Sequence, residues 1–203
     1  MRCRAWAEEF FAKRPDVTIV AENSGHWNKD EGMRYMEDWV QAYPQIDAVI
    51  SMNDNMAMGA LEAVKGNAKF AKLLAYGVDG DAGAALLIKE GTLTATSFQN
   101  ADSLAEKITA MANDILTGKQ TTIVNTDIDC PRYDKDNVDE LIAFFNNDPR
   151  RFMAQDHGLP DEIIADGPFI VIVNIAAANS AGFYLNFDII GAYRFINRII
   201  PNA

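Results

Sequence analysis

Residues 49–61, VISMNDNMAMGAL, change character at their midpoint. The run IDAVIS that leads into them is apolar and β-branched, the composition of a buried strand. From Asn55 onward the apolar residues follow helical spacing, and Gly66 stands where such a helix would stop. Asn53, Asp54 and Asn55 occupy the joint. Asp54 is the expected N-cap, because its carboxylate can accept from the first free N–H groups of the helix. Asn53, one step earlier, is then free to face outward from the strand end, and Asn55 is expected on solvated surface.

Outward from this joint the same alternation recurs. RCRAWAEEFFAKR (2–14) has helical apolar spacing, VTIVA (17–21) is a β-branched run, and KDEGMRYMEDWVQAY (29–43) aligns Met33, Met36, Val40 and Tyr43 along one helix side. KLLAYG (72–77), DAGAALLIKEG (81–91), LTATSF (93–98) and ADSLAEKITAMANDILTG (101–118) continue as strand, helix, strand and a long helix closed by Gly118. TTIVNTDI (121–128) is expected as a final strand. Strands that alternate with helices through short connectors predict an α/β fold, a three-layer sandwich with a mainly parallel sheet covered on both faces.

In such a fold ligands bind beyond the carboxyl ends of the strands, so the residues there carry the functional information. Four successive strand ends offer Trp27, Asn53, Asp79 and Gln99. Each has a structural alternative: Trp27 as a cover for the sheet edge, Asp79 in GVDGD as a turn former. Taken together, an acid that only accepts and two carboxamides that both donate and accept match a ligand bearing several hydroxyls. Asp79 would anchor two neighbouring hydroxyls, and the Trp27 indole would stack on the C–H face of a ring. A pyranose, furanose or cyclitol meets these demands. A phosphate does not, because Asp79 would repel it, and the glycines of GVDGDAG fit neither the P-loop nor the dinucleotide spacing.

Composition narrows the classes further. The 203 residues are 49% hydrophobic and 23% charged, enough for one domain and part of another. Eighteen basic residues against 29 acidic give a net charge of -11 with no basic patch, which argues against nucleic acid and anionic lipid as partners. Cys3 and Cys130 lack metal or redox spacing, and whether they pair is left open. His26 and His157 are the only histidines, and no nucleophile or metalloprotease motif is present, so neither an enzyme, a metal nor a cofactor is expected. The start, MRCRAWAEEFF, does not have the form of a signal peptide. The longest apolar run, FIVIVNIAAA (169–178), is shorter than the ~20 residues of a membrane-spanning helix and is expected as a buried strand.

IDAVISMNDNMAMGALEAV, AYGVDGD, GTLTATSFQN and AEKITAMANDILTGK together resemble the carboxyl-terminal lobe of the type 1 periplasmic sugar-binding proteins, solute receptors of ABC transporters for ribose, galactose or inositol. The resemblance runs from about residue 1 to residue 145. It implies sugar contacts from Asn53, Asp79 and Gln99, stacking by Trp27, a further contact from Arg2, a membrane permease as partner, and a periplasmic or extracellular location. Receptors of this kind have two lobes that close about a hinge, so residues 1–150 are expected to form one lobe whose companion, with the lobe's own first strand, is not in this sequence. The rim so exposed is an expected self-association surface. Lactose-repressor-like regulators use the same fold as an effector domain and provide the alternative reading. Residues 151–203 lie beyond the resemblance. They read as strand, small-residue loop and helix, with Asn179, Phe183, Tyr184, Gly191 and Ala192 faintly similar to the opening of a lobe in the same family. They are expected either to restore a missing edge strand or to be an unrelated extension.

Overall fold

The computed structural model describes residues 6–122, 124, 126–147, 169–175, 189–190 and 194–195, the last three segments as strand backbone only. A short π-helical turn, Trp6–Phe10, and a 3-10 turn, Phe11–Lys13, lead into the first strand in place of the regular helix expected there. The main sheet then takes β1 (Val17–Ser24), β2 (Ala48–Ser51), β3 (Leu74–Asp79), β4 (Ala95–Phe98), β5 (Arg132–Asp134) and β6 (Phe169–Ile175). Between them run α1 (Lys29–Ala42), α2 (Asp54–Ala63), α3 (Ala82–Glu90), α4 (Ala101–Leu116) and α5 (Val138–Asn146). Gly91, at φ +80°, and Gly118, at φ +73°, close α3 and α4 in the left-handed conformation that ends helices at low steric cost. None of the described residues within the final strand expected at 121–128 is in a strand; its place in the sequence order goes to β5, a few residues later.

The strand order is β1-β6-β2-β3-β4-β5. β2, β3 and β4 are parallel neighbours, and β6 is antiparallel to both β1 and β2, so β1 to β4 all run in one direction. β5 closes the other side antiparallel to β4. All four residues of β2 are buried, because this strand has neighbours on both sides and helices against it, which is why its sequence reads as a continuous run rather than an alternation.

The tail strand enters the sheet, but not at an edge. β6 lies between β1 and β2, with Ile172 opposite both Ala21 and Val49, and Val171 opposite Glu22 and Ile50. An inner strand satisfies the backbone groups of two neighbours at once, so β6 bridges β1 and β2, which hydrogen-bond to it and not to each other. Where the helix read near the end of the tail falls on described residues it is corrected: β7 (Ile189–Ile190) and β8 (Arg194–Phe195) pair as antiparallel strands, and the rest of that segment lies outside the described residues. Asn179, Phe183, Tyr184, Gly191 and Ala192 lie outside the described residues.

The core is built on an unusually close helix crossing. A β-carbon added at Gly59 of α2 would fall 2.0 Å from the Lys29 carbonyl oxygen and 2.9 Å from the Met33 nitrogen of α1. In return, one added at Gly32 of α1 would fall 2.5 Å from the Met56 carbonyl oxygen. The two glycines let the backbones touch, and Met36, Met52 and Met56 fill the space beneath with fully buried side chains. A second cluster, Ala84, Ala85, Ile88, Leu93, Leu141 and Phe145, joins α3 to α5. α4 is different: none of its residues is buried, and Leu104, Ile108, Ile115 and Leu116 are exposed.

Two outcomes follow from this packing. Gly59→Val overpacks a backbone contact that cannot yield, and it should cost at least about 3 kcal/mol in urea unfolding with the slope unchanged. Ile172→Pro removes a ladder donor from an inner strand, and amide exchange in both β1 and β2 should accelerate; unchanged protection there would place β6 outside the sheet.

Candidate functional site

The carboxyl ends of β1, β2, β3 and β4 open on one edge of the sheet, where the parallel register sets Asp79 beside Phe98. Trp27, Asn53, Asp79 and Gln99 all belong to that edge. Arg2 lies outside the described residues.

Asn53 is the N-cap of α2. Its backbone is extended (φ -149°, ψ 166°), and its side-chain oxygen accepts from the Met56 N–H at 3.0 Å. The cap role expected of Asp54 is thereby corrected: Asp54 is the first residue inside the helix, where its side chain points away from the free N–H groups and into the protein. The Asn53 amide nitrogen donates to the Trp27 carbonyl at 3.1 Å. Asn53 is thus buried, 3% exposed, and its amide nitrogen makes one donor bond among the described residues, leaving its second hydrogen available. Asn55 is half-buried rather than fully solvated.

The Asn53 bond matters for the loop it reaches. His26 and Trp27 adopt φ of +48° and +62°, a left-handed pair that costs a non-glycine residue roughly 1–3 kcal/mol each unless its surroundings fix it. Here the turn is held from both sides, by the Asn28 N–H on the Gly25 carbonyl at 2.8 Å and by Asn53 on Trp27. Asn28 then caps α1, accepting from the N–H groups of Asp30 and Glu31. The half-buried Trp27 ring is therefore carried on a rigid turn.

Asp79 and Gln99 meet directly. The Gln99 side-chain nitrogen donates to the Asp79 carboxylate at 2.5 Å, and the Gln99 N–H donates to the Asp79 carbonyl at 3.0 Å. Asp79 is half-buried, Gln99 exposed.

Beneath them lies a group that sequence reasoning gave a different task. The Asp54 carboxylate, fully buried, accepts from the N–H groups of Gly80 and Asp81, each at 2.8 Å on Oδ2, and from the Thr96 hydroxyl at 2.7 Å on Oδ1. The Thr96 oxygen in turn accepts from the Gly80 N–H at 3.2 Å. Gly77 makes room for it, since a β-carbon there would fall 2.0 Å from Asp54 Oδ1. The sequence carried a signal for this role: Asn53 and Asp54 are both good caps, and a helix start needs only one. Thr96 had no such signal, because a lone Thr inside a strand is ordinary.

Burial pushes the Asp54 carboxyl well above its ordinary value of 3.8, and the nearby Asp81 and Asp79 push it further, against the pull of its hydrogen bonds. Three acids this close make the edge hostile to anions and hospitable to neutral donors. Among the described residues no group of His, Cys, Asp and Glu is arranged to hold a metal ion. Because the folded chain keeps the Asp54 proton at pH values where the unfolded chain has lost it, the stability that Asp54 contributes is complete below 3.8 and declines as pH rises through the folded value. Unfolding free energies of the wild type and Asp54→Asn, compared across pH, should show this decline in the wild type and a flatter profile in the variant.

Comparison with known proteins shows what the chain and its fold are similar to. Residues 2–120 match the family described as periplasmic binding protein domain. A xylitol-binding protein of Mycolicibacterium smegmatis is 32% identical over 149 residues, covering 72% of this chain and 42% of that protein. A ribose import binding protein of Bacillus subtilis is 37% identical over 104 residues, covering 51% of this chain and 33% of that one. Among solved structures, a periplasmic solute-binding protein of an ABC transporter from Actinobacillus succinogenes, with bound D-allose, superposes with a TM-score of 0.60 at 28% identity, over 66% of this chain and 47% of that one. The chain spans less than half the length of each of these relatives. With a family match over more than half of its residues and the fold of these solved relatives, the chain belongs to the type 1 periplasmic binding protein family.

Proposed function

We propose that this chain supplies one wall of a sugar-binding cleft in an ABC-transporter solute receptor. The observation that carries the reading is the Asp79–Gln99 pair, an acid and a carboxamide hydrogen-bonded at the carboxyl edge of adjacent parallel strands. A monosaccharide or cyclitol would place neighbouring hydroxyls on the Asp79 carboxylate, take a bond from Gln99, and lay its C–H face on Trp27. Asn53 would offer its remaining amide hydrogen from below, and Arg2 a further donor. The names of the relatives, which bind xylitol, ribose and allose, support a polyhydroxyl ligand. They are binding proteins, and the proposed action is binding without turnover.

In this reading residues 1–150 are the lobe, and the tail completes its sheet through β6. The opposite wall comes from outside residues 1–203, and closure of the two walls would present the loaded receptor, in the periplasm or outside the cell, to a permease in the membrane. No helix among the described residues is long and apolar enough to cross a membrane.

Titration calorimetry with ribose, allose, xylitol, galactose and myo-inositol tests the proposal. A lone wall leaves the ligand half solvated, so the dissociation constant should be about a millimolar or weaker, against the enclosed pockets that bury most of a ligand's surface. Asp79→Ala should weaken the best ligand by about tenfold or more, the loss of a charge-assisted hydrogen bond. Tight binding by the monomer would overturn the one-wall account, and an Asp79→Ala variant that binds as well as the wild type would overturn the site.

A further inference from the structure

We infer that Asp54, which no ligand would touch, is a positioning residue: by gripping the N–H groups of Gly80 and Asp81 it fixes the backbone of Asp79 and so aims the Asp79 carboxylate at Gln99 and the open edge. The functional meaning rests on the sugar-site reading above; the positioning itself rests on geometry alone.

Asp79 has φ of +116°, in the region that side chains other than glycine rarely adopt. Such a conformation persists only where the surroundings over-determine it. Two of the constraints are immediately downstream, where the next two N–H groups end on the same Asp54 oxygen at 2.8 Å each. A third comes from β4: Thr96 donates to Asp54 Oδ1 and accepts from Gly80. Three residues further along, Gln99 grips Asp79 by both its carbonyl and its carboxylate. The bonds form a closed circuit from the start of α2, through the turn after β3, to β4 and back to Asp79. Asp54 and Thr96 are the side chains of that circuit with no solvent to substitute for them, and Asp54 is the one that joins all three donors.

The partners also show that the carboxylate is directed here by design of the packing. Gly77, on β3, is the only kind of residue that leaves space for Oδ1, since any side chain would displace it by contact at 2.0 Å. Displacing the carboxylate without deleting it is therefore possible, through Gly77→Ala. The amide of Asp54→Asn, by contrast, retains an oxygen able to accept from both N–H groups.

Two-dimensional nitrogen–proton NMR of the full chain reads the circuit directly, through the Gly80 and Asp81 backbone amides and the Gln99 side-chain amide. Asp54→Ala should move all three signals while distant signals in α5 stay in place, and Asp54→Asn should restore most of the wild-type pattern. Gly77→Ala should move the same three, which keeps the test decisive if Asp54→Ala does not fold. A Gln99 side-chain signal that ignores both substitutions overturns the inference, because Asp79 is then oriented without Asp54.

Titrating ribose and D-allose in the same spectra supplies the functional arm. Asp54→Ala should weaken binding by about tenfold, and in an Asp79→Ala background it should add no further loss, as required of a residue that acts through Asp79. Additive losses in the double variant would overturn positioning in favour of general destabilisation. If neither sugar moves any signal of the wild type, the sugar reading fails, and the three amide signals still decide whether Asp54 orients Asp79.

Discussion

One buried carboxylate joins the parts of this lobe that face outward. Asp54 sits at the first turn of α2, yet its three donors come from the turn after β3 and from β4. Burying an acid is costly, and the cost is offset only where donors are fixed around it. Here they are backbone N–H groups and a strand hydroxyl, held in place by the parallel register of β2, β3 and β4. The sheet makes the site for Asp54, and Asp54 makes the turn that carries Asp79. The Trp27 turn depends on the neighbouring residue in the same way, through Asn53. Two adjacent residues at one strand–helix joint thus support two different loops.

The same economy of space governs the core. Gly32 and Gly59 let α1 and α2 approach until backbone meets backbone, which brings the Lys29 end of α1 over α2 and fixes the direction from which the Trp27 loop arrives. Gly77 does the equivalent for Asp54. In each case the missing side chain is what permits the contact, and the buried methionines around it, with their flexible thioethers, fill the irregular remainder.

The regular elements between residues 29 and 118 were legible because apolar spacing and helix-ending glycines pointed the same way. The sequence failed where a local signal was missing or shared. At 121–128 none of the described residues of a β-branched run joins the sheet, and a three-residue strand beyond it does, because pairing with β4 decides and composition does not. At the α2 joint both Asn53 and Asp54 are able to cap. Which one does so depends on a one-residue difference in where the helix begins, and that is settled by the donors waiting inside the protein for a carboxylate.

The sequence by itself determined the α/β alternation and the sheet edge to which Trp27, Asn53, Asp79 and Gln99 belong, and it suggested the ligand proposed for them, since strand order along the chain and side-chain chemistry are local properties. The tertiary structure alone decided that β6 runs antiparallel between β1 and β2, that Asn53 turns inward to serve a neighbouring loop, and that Asp54 is buried among donors from two other strand ends. These are matters of pairing across long stretches of chain. A residue's neighbours in sequence do not say which distant backbone group will be left in need of a partner.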